Sequence, residues 1–115
     1  MQSNIYGKTS EIIATNYLKK KGYKIIKTNY RNKIGEIDII AKDKNYIVFV
    51  EVKARMSRAF GDALEAINEE KQYKIRSVAS LYLMKNKLTE ANCRFDAVAV
   101  LGEKDEEIRH IENAF

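Results

Sequence analysis

Two β-branched segments, residues 34–41 and 46–54, are separated only by the polar stretch Lys42-Asp43-Lys44-Asn45, and this spacing commits the middle of the chain to a hairpin. In the second segment Val48, Val50 and Val52 alternate with Phe49, so the strand is apolar on both sides over most of its length and both faces should be buried.

The flanking sequence follows other periods. Residues 4–21 are mostly helix formers, with Ile13 four before Tyr17, Ala14 four before Leu18, and Gly22 as a C-terminal stop, which predicts a first helix. Residues 23–30 predict a first strand closed by the polar turn 29–33. After a glycine-containing loop at 57–61, Asp62 stands three residues before Glu65, the spacing of a capping box. Leu64, Ile67, Ile75, Val78 and Tyr82 then recur at helical intervals, so a second helix is predicted over 63–85. Residues 94–101 form a compact apolar run of strand length, and 107–111 a short edge strand. The order is helix, three strands, helix, one or two strands. With no proline, no low-complexity stretch and no repeat, a single domain over 1–115 is expected.

Composition narrows the function classes. No apolar run is long enough to span a bilayer, and the N-terminus lacks the basic start and apolar stretch of a secretory signal, so a cytoplasmic protein without a membrane partner is expected. Cys93 is the only cysteine, which excludes an internal disulfide and a thiolate zinc site within one chain; any metal must be held by oxygen. The net charge of +5 and pI near 9.3 favour an anionic partner such as nucleic acid. The run Lys19-Lys20-Lys21 reads as a solvated helix end whose cations complement the dipole.

The period of two puts Glu36 and Asp38 on one face with Ile40, and Glu51 and Lys53 on one face with Phe49. Charges in strands otherwise apolar on both sides need a partner or a metal. Asp38 and Glu51, converging at one end of the hairpin, supply oxygen ligands for a hard divalent cation, with the Val52 carbonyl able to complete the protein share; Mg2+ or Mn2+ suits such a set. Lys53 would lie beside the metal, able to orient an attacking water or hold charge growing on a phosphate. The same spacing also describes a cross-strand salt bridge, the simpler reading on spacing alone. Two helical positions add weight to the metal reading. Lys71 falls in a gap of the apolar stripe on the second helix, and Glu11 lies on the Gly7, Ala14, Leu18 side of the first. Snorkelling explains either one separately.

The string Gly35-Glu36-Ile37-Asp38-Ile39-Ile40, followed by Val48-Phe49-Val50-Glu51-Val52-Lys53-Ala54-Arg55, resembles the signature of the PD-(D/E)XK nuclease superfamily. More closely, the chain resembles the YraN-like family of bacterial proteins. Gly7, Glu11 and Ala14, Tyr30-Arg31, Phe60-Gly61, Lys71-Gln72 and Arg94-Phe95-Asp96 also match. The resemblance implies a restriction-endonuclease-like three-layer α/β core: a mixed sheet of four to five strands flanked by two main helices, in the order αβββαββ. It extends to archaeal Holliday-junction resolvases, whose helix-one Glu, Asp and Glu-x-Lys match Glu11, Asp38, Glu51 and Lys53. The proline that names the superfamily is replaced by Ile37. Where some nucleases of the superfamily carry a helix Gln with a Tyr four residues on, Gln72 is followed by Arg76, which leaves Gln72 a supporting, phosphate-contacting role.

The implied activity is Mg2+- or Mn2+-dependent hydrolysis of DNA, more readily than RNA, with branched DNA or Holliday junctions as substrates and products carrying a 5′-phosphate. Arg31, Arg55, Arg58, Lys71 and Gln72 are the nucleic-acid contacts. Two-fold pairing as a homodimer follows by analogy, since a four-way junction has two scissile strands. The alternatives are a non-catalytic nucleic-acid-binding module on the same fold, and a protein-interaction scaffold. Of the remaining residues, His110 reads as solvated, Cys93 as a small core or edge residue, and Tyr73 and Tyr82 as packing residues.

Overall fold

A computed structural model describes residues 2–55, 67–102 and 107–115, without the side chains of residues 2–8 and of Arg55. Helix α1 (Gln2–Lys20) leads into strands β1 (Lys24–Arg31), β2 (Glu36–Asp43) and β3 (Tyr46–Arg55). Helix α2 (Glu69–Lys85) and strands β4 (Asn92–Leu101) and β5 (Glu107–Ile111) follow, so the predicted order holds with both trailing strands present. The five strands form one sheet in the order β1-β2-β3-β4-β5. All pairs are antiparallel except β3–β4, which is parallel. A parallel neighbour cannot be reached by a tight turn, and α2 lies in the connection that crosses the sheet between them.

Local chemistry explains the boundaries. Gly22 takes φ 98°, its N–H donates to the Lys19 carbonyl at 3.0 Å, and the Tyr23 N–H donates to the Leu18 carbonyl at 3.0 Å. This is a Schellman end to α1, with Leu18 and Tyr23 packed in the same core. The hairpin turn is shorter than predicted: Asp43 pairs with Tyr46, and left-handed backbone at Lys44 (φ 55°) reverses the chain within Lys44-Asn45.

The helix predicted over 63–85 is not continuous: Ile67 and Asn68 are not helical, and α2 begins at Glu69. Asn68 has extended backbone, its side-chain oxygen accepts the Lys71 N–H at 2.9 Å, and Glu69 and Glu70 occupy the positive first turn. This N-cap outweighs the apolar period that seemed to run through Ile67, which is buried but precedes the helix. The Asp62–Glu65 capping box and Leu64 lie outside the described residues.

Both faces of the sheet are covered. On one, Ala14 and Leu18 of α1, with Tyr23, pack on Ile39, Ala41, Val48, Val50, Val98 and Val100. On the other, Ile75, Val78, Ala79 and Tyr82 of α2 pack on Ile37, Ile40, Ile47 and Phe49. Helix, mixed sheet and helix thus form three layers, and β3 is apolar on both sides because it contributes to both cores. Among the described residues no helix is long and apolar enough to cross a membrane.

Candidate active site

The β2–β3 ladder stops at the Ile39–Val50 pair. Beyond it the Asp38 carboxylate, through Oδ2, accepts the Val52 N–H at 2.8 Å, taking the place of a main-chain partner. As the period of two predicts, Glu36 and Asp38 lie on the α2 side of the strand, beside Lys74 and Ile75, and Ile40 joins the core on that side. Ile39 joins the other core, whereas Ile37, still paired with Tyr30 of β1, joins the α2-side core out of step with the alternation. Gly35, just before this point, permits close approach of α2: a Cβ there would stand 3.3 Å from Val78 Cγ2 and 3.5 Å from Lys74 Cγ.

Asp38 and Glu51 line one cleft where the ladder opens, each within the other's electrostatic reach. Burial first, and the Glu51 carboxylate second, push the Asp38 carboxyl up to about 8; the Val52 N–H opposes the shift, and Glu11 adds a smaller repulsion. Glu51 Oε2 in turn lies 3.4 Å from Lys53 Nζ and 4.0 Å from Lys71 Nζ. Contact with Lys53, then burial, hold the Lys71 ammonium below the usual lysine range. Glu36, Asp38, Glu51, Lys71, Lys74 and Ile75 line a cleft of about 210 Å³ over this cluster.

A divalent cation fits the donor set. Two carboxylates in one cleft, shielded from water, repel unless a proton or a cation lies between them, and oxygen donors of this kind suit Mg2+ or Mn2+. Among the described residues no group of three or more His, Cys, Asp or Glu side chains is placed to hold a metal. Among the described residues Asp38 and Glu51 would be the carboxylate ligands, and water or substrate oxygens would fill much of the shell, as Mg2+ prefers.

The other sequence candidates are dispersed. Glu11 is half-buried and lines a separate groove between α1 and β1 with Ile12, Thr15 and Asn16, within electrostatic reach of Asp38. Arg31 is exposed and pairs with Glu36 at 3.2 Å. The Gln72 side-chain amide donates to the Ile67 carbonyl at 3.0 Å, anchoring the start of α2. The Arg55 side chain and all of Arg58 lie outside the described residues. Lys74 was missed by the sequence reading. It stands three residues after Lys71, and that helical spacing was the available signal.

A second polar cluster corrects the reading of His110, whose side chain is only 1% exposed. Asp96, fully buried on β4, accepts from Arg94 Nε at 3.0 Å, Arg94 Nη2 at 2.9 Å and the Asn113 N–H at 3.1 Å. His110 Nε2 lies 2.8 Å from Asp96 Oδ2, and His110 Nδ1 lies 2.9 Å from Lys21 Nζ. Nδ1 faces an ammonium donor and Nε2 a carboxylate acceptor, so the ring bridges Lys21 and Asp96. Arg94 also reaches Asp43 at 3.1 Å and the Tyr23 hydroxyl at 2.6 Å. Tyr82 packs in the core as expected, whereas Tyr73 is 75% exposed.

The model of the uncharacterised protein family UPF0102 matches residues 10–100. A UPF0102 protein of Alkaliphilus oremlandii is 52% identical, with 95% of this chain and 96% of the relative aligned. One from Clostridioides difficile is 49% identical over the full length of both chains, and one from Thermodesulfovibrio yellowstonii 48% identical over 95% of this chain and 94% of its own. With nearly the whole chain matched at such identity, the chain belongs to the UPF0102 family, the YraN-like group to which its motifs pointed.

Proposed function

We propose that this protein is a divalent-metal-dependent endonuclease that hydrolyses phosphodiester bonds in DNA, with branched DNA such as four-way junctions as its substrate class. The observation that carries the reading is the placing of the Asp38 and Glu51 carboxyls at the open end of the β2–β3 ladder, with Lys53 Nζ 3.4 Å from Glu51, in a cleft also lined by Lys71 and Lys74. A salt bridge alone would account for Glu51 and Lys53 but not for a second buried carboxyl in the same cleft.

In this reading Asp38 and Glu51 hold Mg2+ or Mn2+, and the bound ion supplies Lewis acidity toward water and the phosphoryl oxygens. The Val52 N–H fixes the Asp38 carboxyl through Oδ2. Lys53, from the same strand as Glu51 and only 13% exposed, positions the attacking water or takes up charge on a non-bridging oxygen. Lys71 and Lys74, at the mouth of the cleft, hold flanking phosphates. Glu11 contributes to the local field from the α1 side without belonging to the carboxyl pair.

The test is cleavage of plasmid and four-way-junction DNA in Mg2+ or Mn2+, with Asp38→Ala and Glu51→Ala as controls. Cleavage that disappears with EDTA and falls by about 100-fold or more in both variants is the expected result. Cleavage retained in both variants refutes the assignment. Salt-sensitive DNA binding without cleavage in any divalent ion leaves a binding module on the same fold.

A further inference from the structure

Glu51 Oε2 is shared by two ammonium groups held very differently. Lys53 comes from the same strand, two residues on, lies 3.4 Å away and is 13% exposed. Lys71 comes from the first turn of α2, lies 4.0 Å away and is 48% exposed. Lys71 is also placed against the helix field, since the first turn of a helix disfavours a cation, and Glu51 is the anionic partner that offsets this. The weaker of the two contacts therefore joins the two elements that wall the cleft, β3 and α2.

We propose that Lys71 is an exchangeable counter-ion for Glu51: a divalent cation entering between Asp38 and Glu51 displaces its ammonium, which then turns to the cleft mouth beside Lys74 and takes a phosphate of the nucleic acid. The inference rests on the metal site proposed above and deepens it, because it makes phosphate binding depend on prior metal loading. Lys53 cannot play this part. Its burial and closer contact keep it at the cluster, whereas Lys71, on an equally long stem, is half-exposed and has solvent on one side. Charge balance points the same way. Once Glu51 ligates a doubly charged ion, a second ammonium 4.0 Å from the same oxygen is repelled by the ion and gains more from an incoming phosphate. Lys71 is thus a positioning residue that couples two binding events and takes no part in bond breaking.

The experiment uses the full chain and needs no turnover. Mn2+ binding is measured by calorimetry for the wild type, Lys71→Gln and Lys74→Gln, and crystal structures of the wild type are determined after EDTA and after Mn2+ treatment. Removing Lys71 should tighten Mn2+ about fivefold, the worth of one screened ion pair at this distance, against no more than roughly twofold for Lys74. The Mn2+ structure should show Lys71 Nζ withdrawn from Glu51 while Lys53 stays. Both lysines are substantially solvent-facing, and a thermal melt of each variant verifies folding. Mn2+ bound with Lys71 still on Glu51, or equal effects of the two substitutions, overturns the exchange and leaves the metal site standing. Failure of Mn2+ to bind at all overturns both together.

Discussion

Replacing Asp38 by asparagine should make the metal-free protein more stable. The carboxyl is pushed up to about 8 from 3.8, by burial first and by Glu51 second, so over most of that interval the folded protein retains a proton that the unfolded chain has released. A folded-state pKa raised in this way means that stability falls as pH rises from 3.8 to about 8 and levels off above it. At pH 7 the displacement covers roughly three pH units at about 1.4 kcal/mol each, a burden of roughly 4 kcal/mol. Asparagine has the same shape, can still accept the Val52 N–H, and offers an amide donor to Glu51 in place of a repelling charge. Urea unfolding in EDTA at pH 5, 6, 7 and 8 is the assay. The wild type should lose about 1.4 kcal/mol more per pH unit across this range than the variant, and Asp38→Asn should be the more stable of the two by several kcal/mol at pH 8. Parallel pH profiles, or a less stable variant at pH 8, would refute the claim that the two carboxyls oppose one another. A stabilising substitution that also removes the proposed activity is the usual signature of strain kept at a site for its function.

Arg94→Met strands the fully buried Asp96 with fewer donors, and a loss of about 3–5 kcal/mol in urea unfolding is expected. Hydrogen bonds from His110 and Arg94 outweigh burial and hold the Asp96 carboxyl below its usual range. Its contribution is therefore present above the unfolded value near 3.8 and lost as pH falls through the lower folded value; an Asp96→Asn variant should lack that acid limb in a pH-dependent melt. Gly35→Ala brings a Cβ to 3.3 Å from Val78 Cγ2, so α2 must give by a few tenths of an ångström. A cost of about 1 kcal/mol is expected, with weaker Mn2+ binding if the carboxyl pair depends on where α2 sits.

Much of the architecture was legible in local chemistry. The β-branched runs, the Lys44-Asn45 reversal and Gly22 specify a hairpin and a helix end through backbone preferences that a few neighbouring residues impose. The side of the strand on which Glu51 and Lys53 fall follows from the pleat alone, and they meet at 3.4 Å as the period of two requires. The start of α2 was less legible, because an apolar period continuing through Ile67 competes with the capping side chain of Asn68, and the cap prevails.

Tertiary structure decided what those residues face. Nothing in the spacing of Asp38 and Glu51 says that the β2–β3 ladder ends at Ile39–Val50, yet that opening brings the two carboxyls into one cleft and shifts Asp38. Glu11 sits on the expected side of α1 but lines another groove, and Lys71 reaches Glu51 from α2 across the cleft. His110, isolated and flanked by charge in the sequence, is buried because β5 pairs with β4 and brings it to Asp96. Sequence alone determined which atoms are available and on which side of each element they stand. Distances and pKa shifts depend on where elements remote in the chain come to rest, because electrostatic energies vary with separation and burial, neither of which is a local property.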